Sequence, residues 1–333
     1  MNQSGVPYKK GINPVEAAEL LAAGELVILP TETVYGLAGS ASDARAVAKI
    51  YARKQRPIFN PLIVHVADLQ MAHEIGEFDP VSQFLAKRFW PGPLTLILPK
   101  KPGAKIAELA LAGLDHVALR MPNHPLALAV LTALQGPIVA PSANRSGALS
   151  PTSAAHARAE LGLDIAFVDG GPCQSGVEST ILRMSDHGAQ ILRPGALSRE
   201  RLSEALAEFP HTDPSSGQRA YWNMQSQSDA QGAPILAPGM MASHYAPNAS
   251  IRLNAMSAQA DELFLGFGPR SIGADANLSP SGDLVEAAAN LFAFLRLLDA
   301  RQPACIAVAS IPSHGLGEAI NDRLARAAAP RPA

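Results

Sequence analysis

The chain has 333 residues, of which 47% are hydrophobic and 17% are charged, and its formal net charge is −2. This length and composition predict one large or two ordinary globular domains with a sizeable core, and they exclude a disordered chain. A net charge near zero excludes a general attraction to nucleic acid or anionic membranes, although a local basic patch is compatible with it.

Short apolar segments alternate with capped helices along the first 208 residues. Asn13 and Glu16 form a capping pattern, and a helix from there should end at Gly24. Residues 26–29 are predicted to form a strand, and a polar, glycine-containing turn is predicted to follow it. Further strands are predicted at residues 62–66, 94–98, 117–121, 138–140, 165–168, 179–182 and 191–193. Further helices should begin near residues 43, 81, 123, 153 and 198. Strands follow one another too often for a strictly doubly wound sheet, so the pattern favours a mixed α/β sheet.

The character of the sequence changes after residue 208. Residues 209–247 are rich in Ser, Gln, Gly and Pro and have no clear period, which predicts a linker. The remainder predicts a strand at 263–267, a helix at 283–298, a strand at 305–309 and a helix at about 317–328, with the two strands parallel. We therefore expect three parts: a catalytic domain over 1–208, a linker over 209–247 and a small α/β domain over 248–333.

Several features predict a cytoplasmic protein that does not enter membranes. The N-terminal residues have no apolar signal-peptide core, and no apolar run is long enough to span a bilayer. Cys173 and Cys305 are the only cysteines and lie far apart in sequence, which argues against a disulfide framework.

The common catalytic motifs are absent from the sequence. It contains no G-x-x-x-x-G-K-[ST] loop, no G-x-G-x-x-G turn, no H-E-x-x-H, no paired C-x-x-C and no G-x-S-x-G elbow. P-loop, dinucleotide-binding, zinc and serine-hydrolase functions therefore lose most of their support.

A dispersed set of polar residues remains at strand and helix ends. Lys54 and Arg56 can meet phosphate oxygens, or they can simply complement a helix dipole. Asn60, Ser142, Asn144, Ser179 and Thr180 are each as compatible with ordinary turns as with ligand contacts. His65 ends an apolar strand, and a lone histidine there is more often a core residue than a ligand contact. No nucleophile–base pair is evident. The set as a whole favours positioning and charge stabilisation of a phosphoryl or adenylyl transfer.

Arg120 is the most informative of these residues because it lies inside an apolar strand. A buried arginine is costly unless it is paired. Either an anionic ligand or an internal carboxylate should therefore neutralise it.

Eight motifs in order resemble the Sua5/YrdC/YciO family. They are PTETVYGL, the K-x-R of residues 54–56, NPLIVH, WPGPLT, VALRMP, APSAN-SG, DGG with G-ESTI, and ILRPGA, and they cover roughly residues 10–205. The later PGM and HYAP segments, at 238–247, resemble the long Sua5 form. This resemblance implies a YrdC-like twisted mixed sheet with helices, followed by a small Rossmann-like C-terminal domain.

The resemblance also implies an L-threonylcarbamoyladenylate synthase. Such an enzyme condenses L-threonine, bicarbonate and ATP, with Mg²⁺ accompanying ATP, and releases pyrophosphate. A separate tRNA threonylcarbamoyl transferase would use the product to modify adenosine 37 of tRNA. No protein ligand to a metal and no tightly bound prosthetic group is implied.

Residue roles follow from the same motif matches. The threonine-side contacts implied are Thr33, His65, Arg120, Ser179 and Thr180. The nucleotide-side contacts implied are Lys54, Arg56, Asn60, Ser142, Asn144, Ser150, Arg193 and Tyr245. Lys54 and Arg56 are the expected catalytic residues, and Tyr245 would close over the nucleotide as part of a lid formed by the linker. His116 and Ala140 stand where the family commonly has threonine, so neither is assigned a contact.

Two other functions compete with this one. An RNA-binding or ribosome-associated module could use the same fold, and weak binding of tRNA or duplex RNA is compatible with the synthase as well. The near-neutral charge and the sparse Lys/Arg runs argue against RNA binding as the main role. A carbamoyl-adenylating enzyme of the hydrogenase-maturation type would usually carry acylphosphatase and zinc-finger regions, and neither is found here.

Overall fold

The computed structural model describes residues 10–185, 188–209, 211–212, 219–220, 224–226, 236–240 and 243–330. The helices are α1 Pro14–Ala22, α2 Ala44–Lys54, α3 Leu69–Ile75, α4 Pro80–Phe89, α5 Glu108–Leu111, α6 Pro125–Leu134, α7 Ala154–Leu161, α8 Arg199–Ala207, α9 Leu284–Asp299 and α10 Gly317–Ala328. None of these helices has the length and apolar character needed to cross a bilayer.

The strands are short, and most of them lie in the first two thirds of the chain. They are β1 Val27–Leu29, β2 Gly36–Ser40, β3 Ile63–His65, β4 Leu94–Pro99, β5 His116–Arg120, β6 Ile138–Val139, β7 Ala166–Phe167, β8 Thr180–Ser185, β9 Gly188–Arg193, β10 His211–Thr212, β11 Arg219–Ala220, β12 Met224–Ser226, β13 Ser250–Arg252, β14 Glu262–Gly266, β15 Ala276–Asn277 and β16 Cys305–Val308.

Most of the strands form one large mixed sheet, which confirms the predicted fold class. Its order within the described residues is β12-β9-β8-β4-β5-β3-β6-β2-β1-β7. Parallel pairs such as β3 with β5 alternate with antiparallel pairs such as β4 with β5. The register sets His65 beside Arg120 at the ends of β3 and β5. These two side chains therefore reach the same edge of the sheet.

A second sheet of parallel strands, in the order β13-β16-β14-β15, follows in the C-terminal part. The predicted parallel pair, β14 and β16, is confirmed by its register. Its core joins α9 and α10 to residues of the large sheet's loops. Val34, Leu149 and Val177 pack in the same buried cluster as Leu291 and Phe292. The two sheets thus share an apolar interface.

Local signals explain most helix boundaries. Asn13 accepts hydrogen bonds from two backbone N–H groups of α1, and Glu16 completes the capping box. Asp43 caps α2, Ser153 caps α7 and Ser198 caps α8, as the sequence predicts.

Three predictions about individual elements are corrected. The polar turn predicted after β1 contains strand β2, which pairs antiparallel with β1 and β6. Between the strand predicted at 62–66 and the helix predicted near residue 81, where a loop is expected, lies helix α3, capped by Asp68. Within the segment predicted as a linker, β12 pairs in parallel with β9 at the edge of the large sheet. Strands β2 and β12 depend on pairing with other strands, and helix α3 is short. Hydrophobic periodicity in the sequence reveals neither feature. The other residues of 209–247 lie partly outside the described residues.

Candidate active site

A small enclosed cavity lies at the edge of the large sheet where β3, β5, β8 and β9 end or begin. It contains about 50 Å³ of free space. Seven of the thirteen predicted site residues line it: Arg56, His65, Arg120, Ser142, Ser179, Arg193 and Tyr245. Val34, Ile63 and Ala140 add apolar wall. Residues almost 190 positions apart in sequence are thus brought to one place.

Arg120 is buried and is paired with an internal carboxylate. Its Nη2 lies 2.7 Å from Oε1 of Glu32 and donates a 2.9 Å hydrogen bond to Oγ1 of Thr33. Its Nε donates to the carbonyl of Gly92. Of the two partners expected for this arginine, the structure contains the carboxylate. Thr33 therefore lies behind Arg120 and holds it in place.

Lys54 and Arg56 are buried at the end of α2, where Gln55 adopts a left-handed conformation with φ of 52°. Lys54 Nζ donates to the carbonyls of Ser142 and Asn144, each at 2.5 Å. These two hydrogen bonds attach the Lys54 side chain to the loop that follows β6. Burial first, and then the charge of Arg56, hold the pKa of Lys54 well below its usual range.

The Arg56 guanidinium is held by the loop that follows it. Its Nη2 donates to Oδ1 of Asn60 at 2.5 Å and to the carbonyl of Pro61 at 2.8 Å. Asn60 is fully buried and lies outside the cavity lining. Its side chain therefore orients Arg56, which itself reaches the cavity.

Arg193 joins three segments of the cavity wall. Its guanidinium donates to the carbonyl and the hydroxyl of Ser179 and to the carbonyl of Pro238. Ser179 also shares a 2.8 Å hydrogen bond with Thr95. The Thr180 hydroxyl instead donates to the carbonyl of Leu197 and does not line the cavity. Of the two adjacent hydroxyls, the structure brings only that of Ser179 to the cavity.

Asn144 and Ser150 lie behind the cavity wall. The Asn144 side chain donates to the carbonyls of Arg145 and Ala148, which fixes the loop after β6. The Ser150 hydroxyl donates to Oε1 of Glu178, and Glu178 does line the cavity. Ser150 is therefore a buried partner of a lining residue, whereas the Asn144 amide is bonded to its own loop.

The segment before β13 covers the cavity. Pro238, Gly239, His244 and Tyr245 all line it, and Tyr245 is buried with φ of 62°. Typical sites for small ligands measure about 300 Å³ or more. A ligand of ordinary size therefore needs this cover to move before it can enter.

The charge of the cavity wall is positive overall. Among the described lining residues, three guanidinium groups, from Arg56, Arg120 and Arg193, face a single carboxylate, that of Glu178. Burial first, and then the charge of Arg120, lower the pKa of His65 to about 3. The neutral imidazole thus offers a hydrogen bond without adding charge. Such a wall suits an anionic ligand.

Four residues at or beside the cavity were not predicted as site residues: Glu32, Glu178, His244 and Arg323. Glu32 and Glu178 stand in the PTET and GVEST segments, directly before the selected hydroxyl residues Thr33 and Ser179. Arg323 stands at helical spacing from Ile320, Leu324 and Ala327, all buried. A charged residue on the apolar face of a helix was the available signal for it.

The two positions that depart from the family pattern have different surroundings. Ala140 lines the cavity. His116 lies outside it, and its Nε2 is 3.3 Å from the carbonyl oxygen of Leu236. A larger cleft of about 450 Å³ lies elsewhere, between α7 and α9, and none of the predicted site residues lines it.

Taken together, the large mixed sheet, the parallel sheet of the C-terminal part and the cationic cavity define an α/β protein with a cavity that suits an anion. Two family models match the chain. One, described as telomere recombination, matches residues 19–195, and the other, the threonylcarbamoyl-AMP synthase C-terminal domain, matches residues 197–329. This chain belongs to the Sua5/YrdC/YciO family and has the long Sua5 form.

Relatives and solved structures extend over nearly the whole chain. It is 40% identical to the threonylcarbamoyl-AMP synthase of Bacillus subtilis, over 95% of this chain and 93% of that protein. It is 36% identical to that of Pyrococcus abyssi, over 93% of this chain and 92% of that protein. The structure of P. abyssi Sua5 complexed with L-threonine superimposes with a TM-score of 0.82 at 34% identity, over 95% and 94% of the two chains.

Proposed function

We propose that this protein is an L-threonylcarbamoyladenylate synthase that acts in the cytoplasm. The observation that carries the proposal is the convergence of Arg56, Arg120 and Arg193 with neutral His65 on one cavity, in a chain of this family. The names of the B. subtilis and P. abyssi relatives support the same activity.

The reaction has two bond-forming steps. The amine of L-threonine attacks bicarbonate, and water leaves, to give an N-carboxylate. An oxygen of this carboxylate attacks the α-phosphorus of ATP, and the bond to pyrophosphate breaks. Negative charge accumulates on the leaving pyrophosphate, so fixed cations should accelerate the step. The product would pass to a tRNA threonylcarbamoyl transferase for modification of adenosine 37.

Each substrate has a wall of the cavity that suits it. Arg120, held by Glu32 and Thr33, can bind the threonine carboxylate, with His65 and Ser179 beside it. Arg56 and Arg193 face the phosphates with Ser142 and Tyr245. Lys54, Asn60 and Ser150 would then act indirectly, because they bond to residues that line the wall. Asn144 would act by fixing the loop after β6, which carries Ser142. Thr180 would contribute through the backbone of its segment only.

Magnesium would accompany ATP and would neutralise phosphate charge. Among the described residues, no group of three or more His, Cys, Asp or Glu side chains is placed to hold a metal ion. The ion would be carried mainly by phosphate oxygens and water, as is usual for Mg²⁺ with nucleotides.

The primary test measures pyrophosphate release by the purified protein. We expect release from ATP to require both L-threonine and bicarbonate. Equal release without threonine would contradict the proposal. Filter binding to tRNA over a salt series tests the RNA-binding alternative, since tight binding with a steep salt slope would favour it.

Arg56→Ala tests the phosphate role of the cavity. We expect kcat/KM for ATP to fall by about 100-fold or more, because a charge-assisted phosphate contact is lost. Arg53→Ala is the matched control. Arg53 lies one turn earlier on α2 and pairs with Asp164 outside the cavity. Equal effects of the two substitutions would show that Arg56 acts only through stability.

A further inference from the structure

Arg323 on α10 is the largest fully buried side chain among the described residues, with 1% of its surface exposed. Its neighbours on that face of the helix are Ala319, Ile320, Leu324 and Ala327. An arginine among apolar residues costs free energy unless its charge and its N–H groups are all matched. Its contacts therefore indicate why it is there.

The guanidinium of Arg323 contacts the wall of the candidate active site. Nε donates a 2.7 Å hydrogen bond to Oε2 of Glu178, and Nη2 donates a 3.0 Å bond to the carbonyl of Pro194. Nη1 lies 2.5 Å from Oδ2 of Asp322. The second carboxylate oxygen of Glu178 accepts from Ser150. Glu178 is thus held between α10 and the segment after the β6 loop.

Arg323 also holds the cover of the cavity. Its Cζ lies 4.9 Å from the centroid of the Tyr245 ring, within the range of a cation–π contact. The Tyr245 ring stacks at 5.7 Å on Phe292 of α9. Two C-terminal helices therefore fix the ring of a residue that lines the cavity.

A role in attaching α10 does not account for this arginine. Arg199 of α8 pairs with Glu318 of α10 and already links the two parts with a second Arg–Glu pair. That pair is about a quarter exposed and lies outside the cavity. A buried ion pair adds little net stability compared with apolar packing of the same volume. The burial of Arg323 therefore calls for another explanation.

We propose that Arg323 is a positioning residue for the nucleotide wall of the active site, acting through Glu178 and Tyr245. This inference rests on the proposed synthase function. Arg323 touches no substrate and instead sets the place of one carboxylate and one aromatic ring. The C-terminal domain thereby supplies part of the geometry of a cavity that lies in the other domain.

Arg323→Lys is the informative variant, because it keeps the positive charge but loses the planar fork that reaches Glu178, Pro194 and Tyr245 together. We expect KM for ATP to rise about 10-fold while KM for threonine changes by less than about 2-fold. The dissociation constant for ATP alone, from titration calorimetry, should rise to a similar extent. Arg199→Lys is the matched control and should leave both constants unchanged.

A second variant keeps the test decisive if Arg323→Lys does not fold. Arg323→Met combined with Glu178→Gln removes both charges and leaves no unpaired ion. We expect it to fold and to bind ATP weakly. Wild-type ATP affinity in either folded variant would overturn the inference. Absence of threonine-dependent pyrophosphate release by the wild-type protein would instead contradict the synthase function, and the calorimetric measurement separates the two failures.

Discussion

His65 and His244 are buried beside the cavity and are neutral at pH 7. The pKa of each is lowered to about 3, and burial is the largest cause for both. The charge of Arg120 also lowers the pKa of His65. For His244, the charge of Glu178 raises the pKa and those of Arg56, Lys54 and Arg323 lower it. In the unfolded chain, a histidine has a pKa near 6.5. The folded state therefore binds fewer protons between these values. The stability that depends on neutral histidine is present above pH 6.5 and is lost as the pH falls towards 3.

The resulting prediction concerns mild acid. For each of these histidines, the free energy of unfolding should fall by about 2 kcal/mol when the pH is lowered from 7 to 5. His244→Gln should therefore lose less stability over this interval than the wild type, measured by urea denaturation at both pH values. His314→Gln, at an exposed position, is the control. An equal loss in wild type and His244→Gln would contradict the expected protonation.

Arg120 illustrates how a residue can serve both structure and binding. Its charge is matched by Glu32 before any ligand arrives, so the folded protein does not depend on substrate for this buried cation. Its position at the cavity also leaves it available to a carboxylate ligand. The two partners expected from the sequence are thus compatible with each other.

At the level of elements, the cover segment depends on a close approach at Gly239. This residue has φ of +83°, and a Cβ there would lie 2.8 Å from both Cδ of Arg193 and Oη of Tyr245. Only glycine allows the segment to lie against Arg193 and Tyr245 at this distance.

Gly239→Ala should therefore hold the cover away from the cavity. We expect kcat for pyrophosphate release to fall and limited proteolysis between residues 236 and 247 to accelerate, since the closed arrangement is lost. Gly268→Ala is a matched control, because Gly268 also has positive φ (+76°) but would place its Cβ where nothing lies within 4 Å. If both variants behave alike, backbone strain rather than closure explains the effect.

Local patterns predicted those elements that depend on their own residues. Asn13, Asp43, Ser153 and Ser198 cap helices because a side chain bonds to the backbone two or three residues on. Strand β12 was not predicted, because its pairing partner, β9, lies more than thirty residues earlier in the chain. Nothing in the sequence of β12 itself indicates a strand. The same limit applies to Arg323 and Glu178, whose pairing spans 145 residues.

Site residues could be predicted where a sequence motif ends a predicted strand with a polar residue. His65 and Arg120 follow this pattern, and the register of β3 and β5 brings them together. The sequence could not separate residues that line the cavity from residues that hold them. Lys54, Asn60 and Ser150 belong to the second group because of hydrogen bonds that depend on the tertiary fold.

At the scale of the molecule, the second core joins the two sheets. Phe292 is fully buried there, packs in one cluster with Val34 and Val177 of the large-sheet domain, and stacks on Tyr245. Packing within the C-terminal part is therefore transmitted directly to the cover of the cavity.

Phe292→Ala should reduce both stability and ATP affinity. We expect a loss of about 3–5 kcal/mol in unfolding free energy from the cavity it leaves. The dissociation constant for ATP should also rise, because the Tyr245 ring loses its stacking partner. Leu298→Ala is the comparison, since Leu298 is equally buried in the same core. It should cost similar stability with unchanged affinity, and parallel affinity changes in both variants would contradict the role of the stacking contact.

The placement of Arg323 has a consequence for protein synthesis. A chain grows from its N-terminus, and the cavity wall, whose lining begins with Val34, is completed only after α10 has left the ribosome. At about 5–20 residues per second, the intervening roughly 290 residues take about 15–60 seconds. During that time a nascent chain already holds most of the cationic wall but lacks the group that fixes Glu178 and Tyr245. We therefore expect incomplete chains to leave cellular ATP untouched.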